Sequence, residues 1–508
     1  MYNPQKLHPI SYVEGLIKVI KQNIFPFIIF VVFNSWNFDF TNIRNYISPA
    51  IFLLIFLVTF IHHFLEVYVT RYWIEDEHFI VTSGWINKKR KELNISRIQS
   101  LDTTQGLINQ IVGGVSLQIK TPSDGVELAS ISKKQSDLIE QTIREHQLQL
   151  NEEQKEEVIT SEQNEVDEQL IQNTDNSASS TIQSESTIYK MSWRSLLLMA
   201  MTSGAIGVAL ATVSPILGAF QHMIPWDKWT SNLWHWINSV FFIVLFIVGV
   251  VLLVSYIIGT LITIVRYYNY TVTQQDSQLK ISYGLLNVKN ITVPTDRLQA
   301  VLEKQSYIRK MFGYTSIHFI ITSDLDITSD EDASDNGKIM ILPFIKQKEA
   351  YQIIKSLVPE MQFNDIKSDM PWRGYHRHFL IPSIVLIIGA GIGTYFWSAW
   401  SFMIAILIIG IMVLEAYIYI HAAGLNFKND EIALREVNTF SFNTYYFKTD
   451  KIIGMETKQH PFLERAHLRN ISFLIAKGSV FEDINLKFVD DNKVNQYVNG
   501  YLRGEYNE

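Results

Sequence analysis

The 508-residue sequence contains no cysteine, which excludes disulfide scaffolds, thiolate zinc sites, iron–sulfur clusters and thiol catalysis. Charged residues are scarce, at 18% against about 25% in soluble proteins. The net charge of −7 excludes the basic footprint of a nucleic-acid binder. The patterns G-x-x-x-x-G-K, G-x-S-x-G and H-E-x-x-H are also absent. We therefore expect a non-enzymatic protein with no catalytic, cofactor-binding or metal-ligating residues and no nucleic-acid partner.

Long apolar segments are what the sequence does have, and several approach the ~20 residues that a helix needs to cross a bilayer. They occur in pairs with short loops between them: Ile24–Phe33, Ala50–Val69, Ser195–Phe220, Trp236–Val265, Phe379–Trp397 and Ser401–Ile420. Only helices satisfy their own backbone in lipid in this format, so the pairs predict three helical hairpins. Pro26 interrupts the first segment, whose limits are the least well defined.

Basic residues predict the orientation of these hairpins. They flank the chain ends and the long connections, as in the run Lys88–Lys91, whereas the three hairpin turns carry few. Because basic loops stay on the cytoplasmic side, both termini and all large polar parts are predicted to be cytoplasmic. Tryptophans near both ends of the apolar segments are typical of the aromatic belts at the two membrane interfaces.

The polar parts contain an internal repeat. When residues 84–121 are aligned with the residues 200 positions later, nine of the 38 positions are identical. Six of these identical pairs are Gly84 and Gly284, Asn87 and Asn287, Arg97 and Arg297, Gln99 and Gln299, Gln105 and Gln305, and Gly113 and Gly313. A fainter third copy keeps the eight-residue spacing from Lys451 to Gln459, with Asn438 at the position of Gly84. His467 replaces the second glycine there. The third copy is therefore predicted to keep the scaffold and to lose most of the motif.

Each copy has short segments of period-two alternation followed by an amphipathic helix, which predicts a small β structure covered by a helix. The predicted helices are KKQSDLIEQTIREH, FIKQKEAYQIIKSLV and DNKVNQYVNGYLR. The glycines are expected to allow turns at positive φ, a conformation that Asn438 would also tolerate.

The motif R-x-Q-x-x-x-x-x-Q recurs between two glycines, and each time it follows a hairpin that ends in Arg and an aromatic residue. In this arrangement the chain resembles the bacterial PH-like (bPH2-type) membrane proteins of the YdbT-like family. The resemblance covers most of the chain. It implies a PH-like fold, a bent β-barrel closed by a C-terminal helix, in a bacterial cell membrane. A smaller PH-like membrane protein often accompanies members of this family, so the resemblance also implies such a partner. Membrane lipids and further copies of the chain are the other partners that we expect.

The predicted fold class is thus α+β, with six transmembrane helices in three hairpins, each followed by a cytoplasmic PH-like β-barrel domain with a capping helix. The predicted limits are 1–70 for hairpin 1, 71–150 for PH-like domain 1, 151–190 for a disordered acidic linker, 191–265 for hairpin 2, 266–360 for PH-like domain 2, 361–420 for hairpin 3, and 421–508 for a degenerate PH-like domain 3.

Two acidic stretches stand out from the repeats. Residues 151–187 carry ten acidic residues against one lysine, which predicts a solvated tether or, alternatively, a docking tail. The second stretch, from Asp324 to Asp335, lacks the EF-hand spacing. We interpret it as a surface loop, with a calcium site as the alternative.

Three groups of residues are candidates for a functional role. The basic run Lys88, Lys89, Arg90 and Lys91 is either a solvated hairpin or a contact for anionic headgroups. The repeat residues Gly84, Arg97, Gln99, Gln105 and Gly113, with Gly284, Arg297, Gln299, Gln305 and Gly313, either fix a loop by hydrogen bonds or line a binding groove.

The third group is a pair of carboxylates at membrane depth, Glu66 and Glu415, where acidic residues are functional candidates by default. Interfacial pairing with the nearby Arg71 and His421 is the alternative, and the adjacent His62 and His63 face different sides of a helix. We expect an envelope-related protein that assembles with partners and acts in lipid handling or in tolerance of membrane-active antimicrobials. The alternative is a transporter or lipid-translocating complex with a pathway through the helices.

Overall fold

A computed structural model describes residues 3–33, 44–121, 125–146, 186–202, 250, 252–275, 278–322, 337–368, 370–396, 400–439, 441–478 and 480–503. The chain divides into two compact units, Met1–Pro294 and Thr295–Glu508.

Three described helices are long and apolar enough to cross a membrane, over Ala50–Val69, Trp372–Tyr395 and Ser401–Ala422. The helices in this part of the fold are α1 (Ile10–Phe33), α2 (Arg44–Val69), α5 (Trp193–Thr202), α6 (Leu252–Arg266), α9 (Leu380–Phe396) and α10 (Trp400–Ala422). Only the ends of the predicted third and fourth segments, in α5 and α6, lie within the described residues.

The first apolar helix differs from its prediction. It begins at Ile10 and continues through Pro26, which lies inside α1 instead of interrupting it. Neighbouring helices can compensate for the backbone donor that a proline lacks, and α1 packs along α2 through ring contacts such as Phe27 with Phe52. In the second unit α9 packs against α10 in the same way.

The first unit contains eleven strands in its described residues. They are β1 (Gln5–Lys6), β2 (Arg71–Glu75), β3 (His78–Ser83), β4 (Lys89–Asn94), β5 (Ser100–Gln105), β6 (Gly114–Lys120), β7 (Gly125–Ser132), β8 (Ser186–Lys190), β9 (Thr271–Gln275), β10 (Gln278–Tyr283) and β11 (Val288–Pro294). One sheet has the order β1-β2-β3-β4, and the other has the order β7-β6-β5-β11-β10-β9-β8. Helix α3 (Leu107–Val112) follows β5, and α4 covers residues 133–146.

The core of this unit packs the first sheet against strands β5 to β7. Tyr72 and Phe79 on one side meet Leu117 and Leu128 on the other, and all four are almost completely buried. Helix α4 closes this core with Ile139, as its amphipathic pattern predicts.

The second unit repeats this design. Its described strands are β12 (Leu298–Ser306), β13 (Tyr314–Ile321), β14 (Lys338–Lys346), β15 (Gly424–Lys428), β16 (Glu431–Asn438), β17 (Ser441–Lys448), β18 (Ile452–Lys458), β19 (Leu468–Lys477) and β20 (Val480–Asp490). They form the sheets β14-β13-β12-β17-β16-β15 and β18-β19-β20. The helices are α7 (Tyr307–Met311), α8 (Gln347–Leu357), α11 (Pro461–Glu464) and α12 (Asp491–Arg503). Both predicted amphipathic helices of this unit, α8 and α12, are therefore present.

Among the strands that the structure describes, no closed barrel forms, in contrast to the prediction for each domain. The described strands form open sheets of four, seven, six and three strands. The reason is visible at β5, because its free edge pairs with β11 of the following repeat copy and not with β4 of its own copy. In the second unit β12 pairs in the same way with β17. We call these two contacts the first junction (β5 with β11) and the second junction (β12 with β17).

Candidate functional site

The first junction joins successive repeat copies by backbone pairing. Its register places Gln105 opposite Val288, Thr104 opposite Lys289 and Thr103 opposite Asn290. Side chains strengthen this contact, since the Asn290 amide donates to Thr103 Oγ1 at 3.0 Å. The amide of Gln110 also donates to two carbonyls of the turn before β11. The pairing therefore has both backbone and side-chain support.

Asp102 is the buried acidic residue of the first junction. It is 7% exposed, its carboxylate accepts from the backbone N–H of Thr292 at 3.0 Å, and the Lys120 ammonium lies 3.8 Å away. Burial raises the pKa of Asp102 to about 6, while Lys120 and the hydrogen bonds oppose part of that rise. The carboxylate thus links the two copies and is protonated at mildly acidic pH.

The second junction is longer and contains a buried polar network. Seven Cα pairs run from Ala300 opposite Phe447 to Ser306 opposite Ser441. At its centre the carboxylate of Glu303, 2% exposed, accepts from Tyr351 Oη at 2.6 Å.

A second tyrosine extends this network across the two copies. Tyr351 Oη lies 2.7 Å from Tyr446 Oη, and the Gln347 amide donates to Glu303 at 2.8 Å. Because the proton of Tyr351 points at the carboxylate, Tyr446 is the donor to Tyr351. Burial raises the pKa of both tyrosines, so they remain protonated donors.

The repeat glutamines have the same role in all three copies. Gln105, Gln305 and Gln459 each donate from Nε2 to the carbonyl nine residues further on, at 3.2, 2.8 and 3.1 Å. This bond joins the end of each strand to the start of the next strand, across the short helix between them. The equivalence of Gln459 with the other two is thereby confirmed.

The motif glycines occupy two kinds of turn. Gly84 and Gly284 have φ of +86° and +114°, and a Cβ there would lie about 2 Å from a backbone oxygen. Gly113 and Gly313 have φ of +75° and +70° with open space around the Cβ position. In the third copy His467 keeps this left-handed conformation at φ +51°.

The prediction for Asn438 was wrong. It lies in β16 opposite Ser441, outside the left-handed region, because the strand pairing extends one residue further there.

The remaining motif residues surround the turn at the start of β5 and β12. Arg97 is exposed and Gln99 is buried. Arg297 and Gln299 are half-buried, and the Gln299 amide donates to the Arg297 carbonyl at 3.3 Å.

The basic run lies in and before β4, at the end of its sheet, and its four side chains are exposed. Arg90 contacts Glu92 at 2.6 Å and lies over the Trp73 ring at 5.7 Å. The turn before β4 presents Trp85, whose indole donates to His62 of α2 at 3.0 Å. Ile86 beside it is 75% exposed. This corner thus combines basic and apolar side chains next to a membrane-spanning helix.

Glu66 and Glu415 do not contact the partners that the sequence suggested. Glu66 contacts His63 at 3.5 Å, whereas the Arg71 guanidinium donates to backbone carbonyls at the end of α2. Glu415 accepts from Thr439 Oγ1 at 3.0 Å, and His421 contacts the Tyr417 carbonyl instead. Helix geometry explains both cases. Arg71 lies beyond the end of α2, and His421 is six residues from Glu415 and thus on another face of α10.

Glu415 also lines a cavity of about 460 Å³ in the second unit, between α10, β16 and β20. Glu436 and Lys487 contribute charges to the same wall, and burial raises the pKa of Glu436. This cavity is polar in part and adjoins a membrane-spanning helix.

Sequence reasoning missed three buried carboxylates. Besides Asp102 and Glu303, Glu431 is 3% exposed and accepts from the backbone N–H groups of residues 362, 363 and 364. Each of them lies in a strand, and Glu303 alone follows a run of apolar residues, 300–302, which was the available signal. The acidic stretch 324–335 and most of the linker 151–190 lie outside the described residues. Among the residues that are described, no group of three or more His, Asp or Glu could hold a metal ion.

Comparison with known proteins identifies relatives of the chain. The family model for the bacterial PH domain matches residues 25–147 and 205–360, which are the first two repeat copies with their preceding apolar segments. The UPF0699 transmembrane protein YdbT of Bacillus subtilis (strain 168) is 25% identical over 507 residues, covering 97% of this chain and 96% of that protein. No solved structure matches the chain.

Proposed function

Because this chain belongs to the bacterial PH domain family and is a membrane protein, we propose that it is a non-enzymatic scaffold of the bacterial cell membrane. Its PH-like domains would lie in the cytoplasm, beneath three membrane hairpins, and would bind protein partners. The partners are further copies of the chain or a smaller PH-like membrane protein. The physiological role would be in the envelope, in lipid handling or in tolerance of membrane-active antimicrobials.

The observation that carries this proposal is the use of PH-like strands for contacts between domains. At both junctions a strand of one repeat copy adds to the sheet of the next, with a buried carboxylate in each contact. Strand addition is a common mode of protein recognition. The motif glutamines that could have lined a groove instead hold their own backbone. This use of the repeated polar residues favours assembly over chemistry.

The membrane topology in this proposal has six spans and cytoplasmic termini. Three described helices meet the length and hydropathy requirement, and the basic residues support the orientation. A cysteine-free chain makes the test direct, since single cysteines can be added at the termini and hairpin turns. An impermeant maleimide applied to whole cells should label the turns and should spare the termini. Labelling of a terminus before lysis would contradict the orientation.

Contact with anionic headgroups fits the exposed corner at β4. Each basic residue near an anionic surface contributes about 1 kcal/mol, and four basic side chains stand beside the exposed Ile86. Nanodiscs with and without phosphatidylserine provide the test. The variant Lys88→Gln with Lys89→Gln should reduce retention of the anionic lipid, whereas Lys355→Gln, at an exposed position of α8, should leave it unchanged. Equal retention by both variants would remove this contact from the proposal.

A lipid-translocating complex is the second candidate, and the cavity at Glu415 favours it. An intramembrane carboxylate beside a cavity could handle a headgroup or a cation. Glu415→Gln and Glu66→Gln distinguish the two functions. If either abolishes antimicrobial tolerance while protein level and assembly stay intact, the scaffold function is contradicted. The scaffold predicts tolerance within twofold of the unsubstituted chain.

The direct test of the scaffold is purification of the full chain in a mild detergent, followed by its native mass and the identity of co-purifying proteins. We expect an assembly larger than one chain. A mass of one chain without a protein partner would contradict the proposal.

A further inference from the structure

The two junctions follow one pairing rule. At the first junction Gln105 lies opposite Val288, four residues after the turn glycine Gly284. At the second, Gln305 lies opposite Phe442, four residues after Asn438, which aligns with Gly284. The repeat glutamine of one copy thus faces the fourth residue after the turn position of the next copy. Two independent junctions with the same register indicate that the contact belongs to the repeat.

In the first and the third repeat copy, one strand of the types that form the junctions lies at the end of its sheet. Strand β4 corresponds to β11 and β17, and it ends the sheet β1-β2-β3-β4. Strand β18 corresponds to β5 and β12, and it begins the sheet β18-β19-β20. Within the described residues the strand order gives neither of them a second neighbouring strand. Such sheet ends are templates for strands of another chain unless they are blocked.

The rule sets a register between the two ends. It places Gln459, Lys458, Thr457 and Glu456 opposite Lys88, Lys89, Arg90 and Lys91, respectively. Residues 456–458 and 88–91 are exposed in their own units. The chain therefore presents two complementary edges, one at each end of its series of repeats.

The register produces one attractive and one repulsive charge pair between the two edges. Glu456 falls opposite Lys91, which in its own unit donates to the Gly125 carbonyl. Lys458 opposite Lys89 is a repulsive pair, although Glu456 lies 2.9 Å from Lys458 and offsets its charge. The edge at β4 carries four basic residues, and an acidic residue faces one of them.

A second acidic residue extends the complementarity. Glu464 ends α11 and aligns with Gln110 of α3 and Lys310 of α7, which both reach across a junction. Gln110 donates to turn carbonyls at 3.1 and 3.2 Å, and the Lys310 ammonium lies 3.5 Å from the Phe442 ring centroid. Since Phe442 aligns with Lys88, the same geometry brings Glu464 to Lys88.

We infer that β18 of one copy of this chain pairs with β4 of a second copy, so that the domains of successive copies continue in one head-to-tail series. This inference rests on the proposed scaffold function and names its partner and its surface. The contact is heterologous, because the two copies use different strands, and it therefore builds rings or open rows. A second copy is the occupant because, besides the preceding strand of their own copy, the described β4-type strands β11 and β17 pair with β5 and β12, and the counterpart of β5 and β12 in the third copy is β18.

Disulfide trapping in native membranes tests the inference, since the chain has no cysteine of its own. Two differently tagged full-length chains are co-expressed, one with Arg90→Cys and the other with Thr457→Cys. These positions correspond to Asn290 and Thr103 of the first junction. Mild oxidation should join the two tags in one band that reductant removes. Because each chain carries one cysteine, this product cannot form within a chain.

A register control uses Ile453→Cys in place of Thr457→Cys. Ile453 is 60% exposed on the same strand, but four residues away, or roughly 13 Å along the strand. Disulfides need Cα atoms within about 7 Å, so this pair should not join. Equal yields from both pairs, or no product while Thr103→Cys with Asn290→Cys joins inside one chain, would overturn the inference.

A charge exchange tests the same contact without a covalent bond. Glu464→Lys should lower the trapped fraction about fivefold, and Lys88→Glu in the other chain should restore it. Restoration requires the two residues to meet, so a general loss of folding cannot imitate it. Failure to restore would contradict the register. If trapping fails while the native mass still exceeds one chain, the edge pairing is wrong and the scaffold stands; if the native mass is that of one chain, both fail.

Discussion

Tyr351→Phe is the sharpest test of the network at the second junction, because it removes one hydroxyl and keeps the ring. That hydroxyl donates to the carboxylate of Glu303 at 2.6 Å, in a site where Glu303 is 2% exposed. A hydrogen bond to a charged group contributes about 1.5–3 kcal/mol. Gln347 still donates to the carboxylate, so we expect the unit to lose about 2 kcal/mol, within that range.

Unfolding of the second unit can be followed with a single buried cysteine. Ala433 in β16 is fully buried, and Ala433→Cys would react with a maleimide only when the unit opens. In a unit of about 200 residues a loss of 2 kcal/mol lowers the midpoint of thermal labelling by about 4–8 °C. The measurement is made on the full chain in detergent, with and without Tyr351→Phe.

Tyr314→Phe is the matched control for this prediction. Tyr314 lies in the same unit, and its ring stacks on Phe344 with centroids 4.3 Å apart, a contact that phenylalanine keeps. We expect a shift below about 2 °C, which corresponds to less than 1 kcal/mol. Equal shifts for the two variants would refute the argument that the buried carboxylate depends on the Tyr351 hydroxyl.

Three further predictions concern single residues. Burial raises the pKa of Asp102 to about 6, so between pH 4 and 6 the folded chain binds this proton and the unfolded chain does not. In denaturant titrations, the stability of the unsubstituted chain relative to Asp102→Asn should therefore fall by up to about 3 kcal/mol as the pH rises from 4 to 6. A difference that stays constant with pH would contradict this prediction. Gly84→Ala should lower the free energy of unfolding by about 3 kcal/mol, because the added Cβ would lie 2.1 Å from a backbone oxygen. Gly113→Ala, at a similar φ and in open space, should lower it by about 1 kcal/mol. Equal losses of stability in thermal unfolding would argue against this difference. Gln305→Ala should lower stability by about 1 kcal/mol through loss of its bond to the Tyr314 carbonyl and should leave the native mass unchanged, and a smaller assembly would indicate a binding role instead.

The repeat could be predicted from the sequence because its polar residues serve local geometry. The spacing that aligned Gln459 with Gln105 and Gln305 reflects one hydrogen bond, which spans nine residues in each copy. At His467 the left-handed turn persists without glycine. The sequence signal faded there because side-chain identity can change while the backbone conformation stays.

The partners of the strands could not be predicted from the sequence. Period-two alternation specifies which face of a strand is buried, but it does not specify the neighbouring strand. The barrel expected for each domain came from the resemblance to PH-like proteins, which implies closure within each copy. The pairing of Thr103 with Asn290 bridges 187 residues, including the acidic linker, and no local pattern marks it.

The buried carboxylates were missed for a related reason. Glu303 follows the apolar residues 300–302 of its strand, whereas Asp102 and Glu431 stand beside polar residues, so no shared sequence pattern marks the three. Their partners lie far away along the chain, as with Thr292 for Asp102 and Tyr351 for Glu303. Without those partners, an acidic residue in a strand is indistinguishable from one that faces solvent.

The most direct test of the account is whether β5 pairs with β11 in the membrane. A protease site placed in the acidic segment 151–187 cuts the full chain between these strands. Thr103→Cys with Asn290→Cys should form a disulfide that keeps the two fragments together until reductant is added. A barrel closed within the first copy would instead join Thr103→Cys to Arg90→Cys and would release the fragments. Separation of the fragments from the first pair, with a disulfide in the second, would contradict the central claim that PH-like domains of this chain are joined by shared sheets.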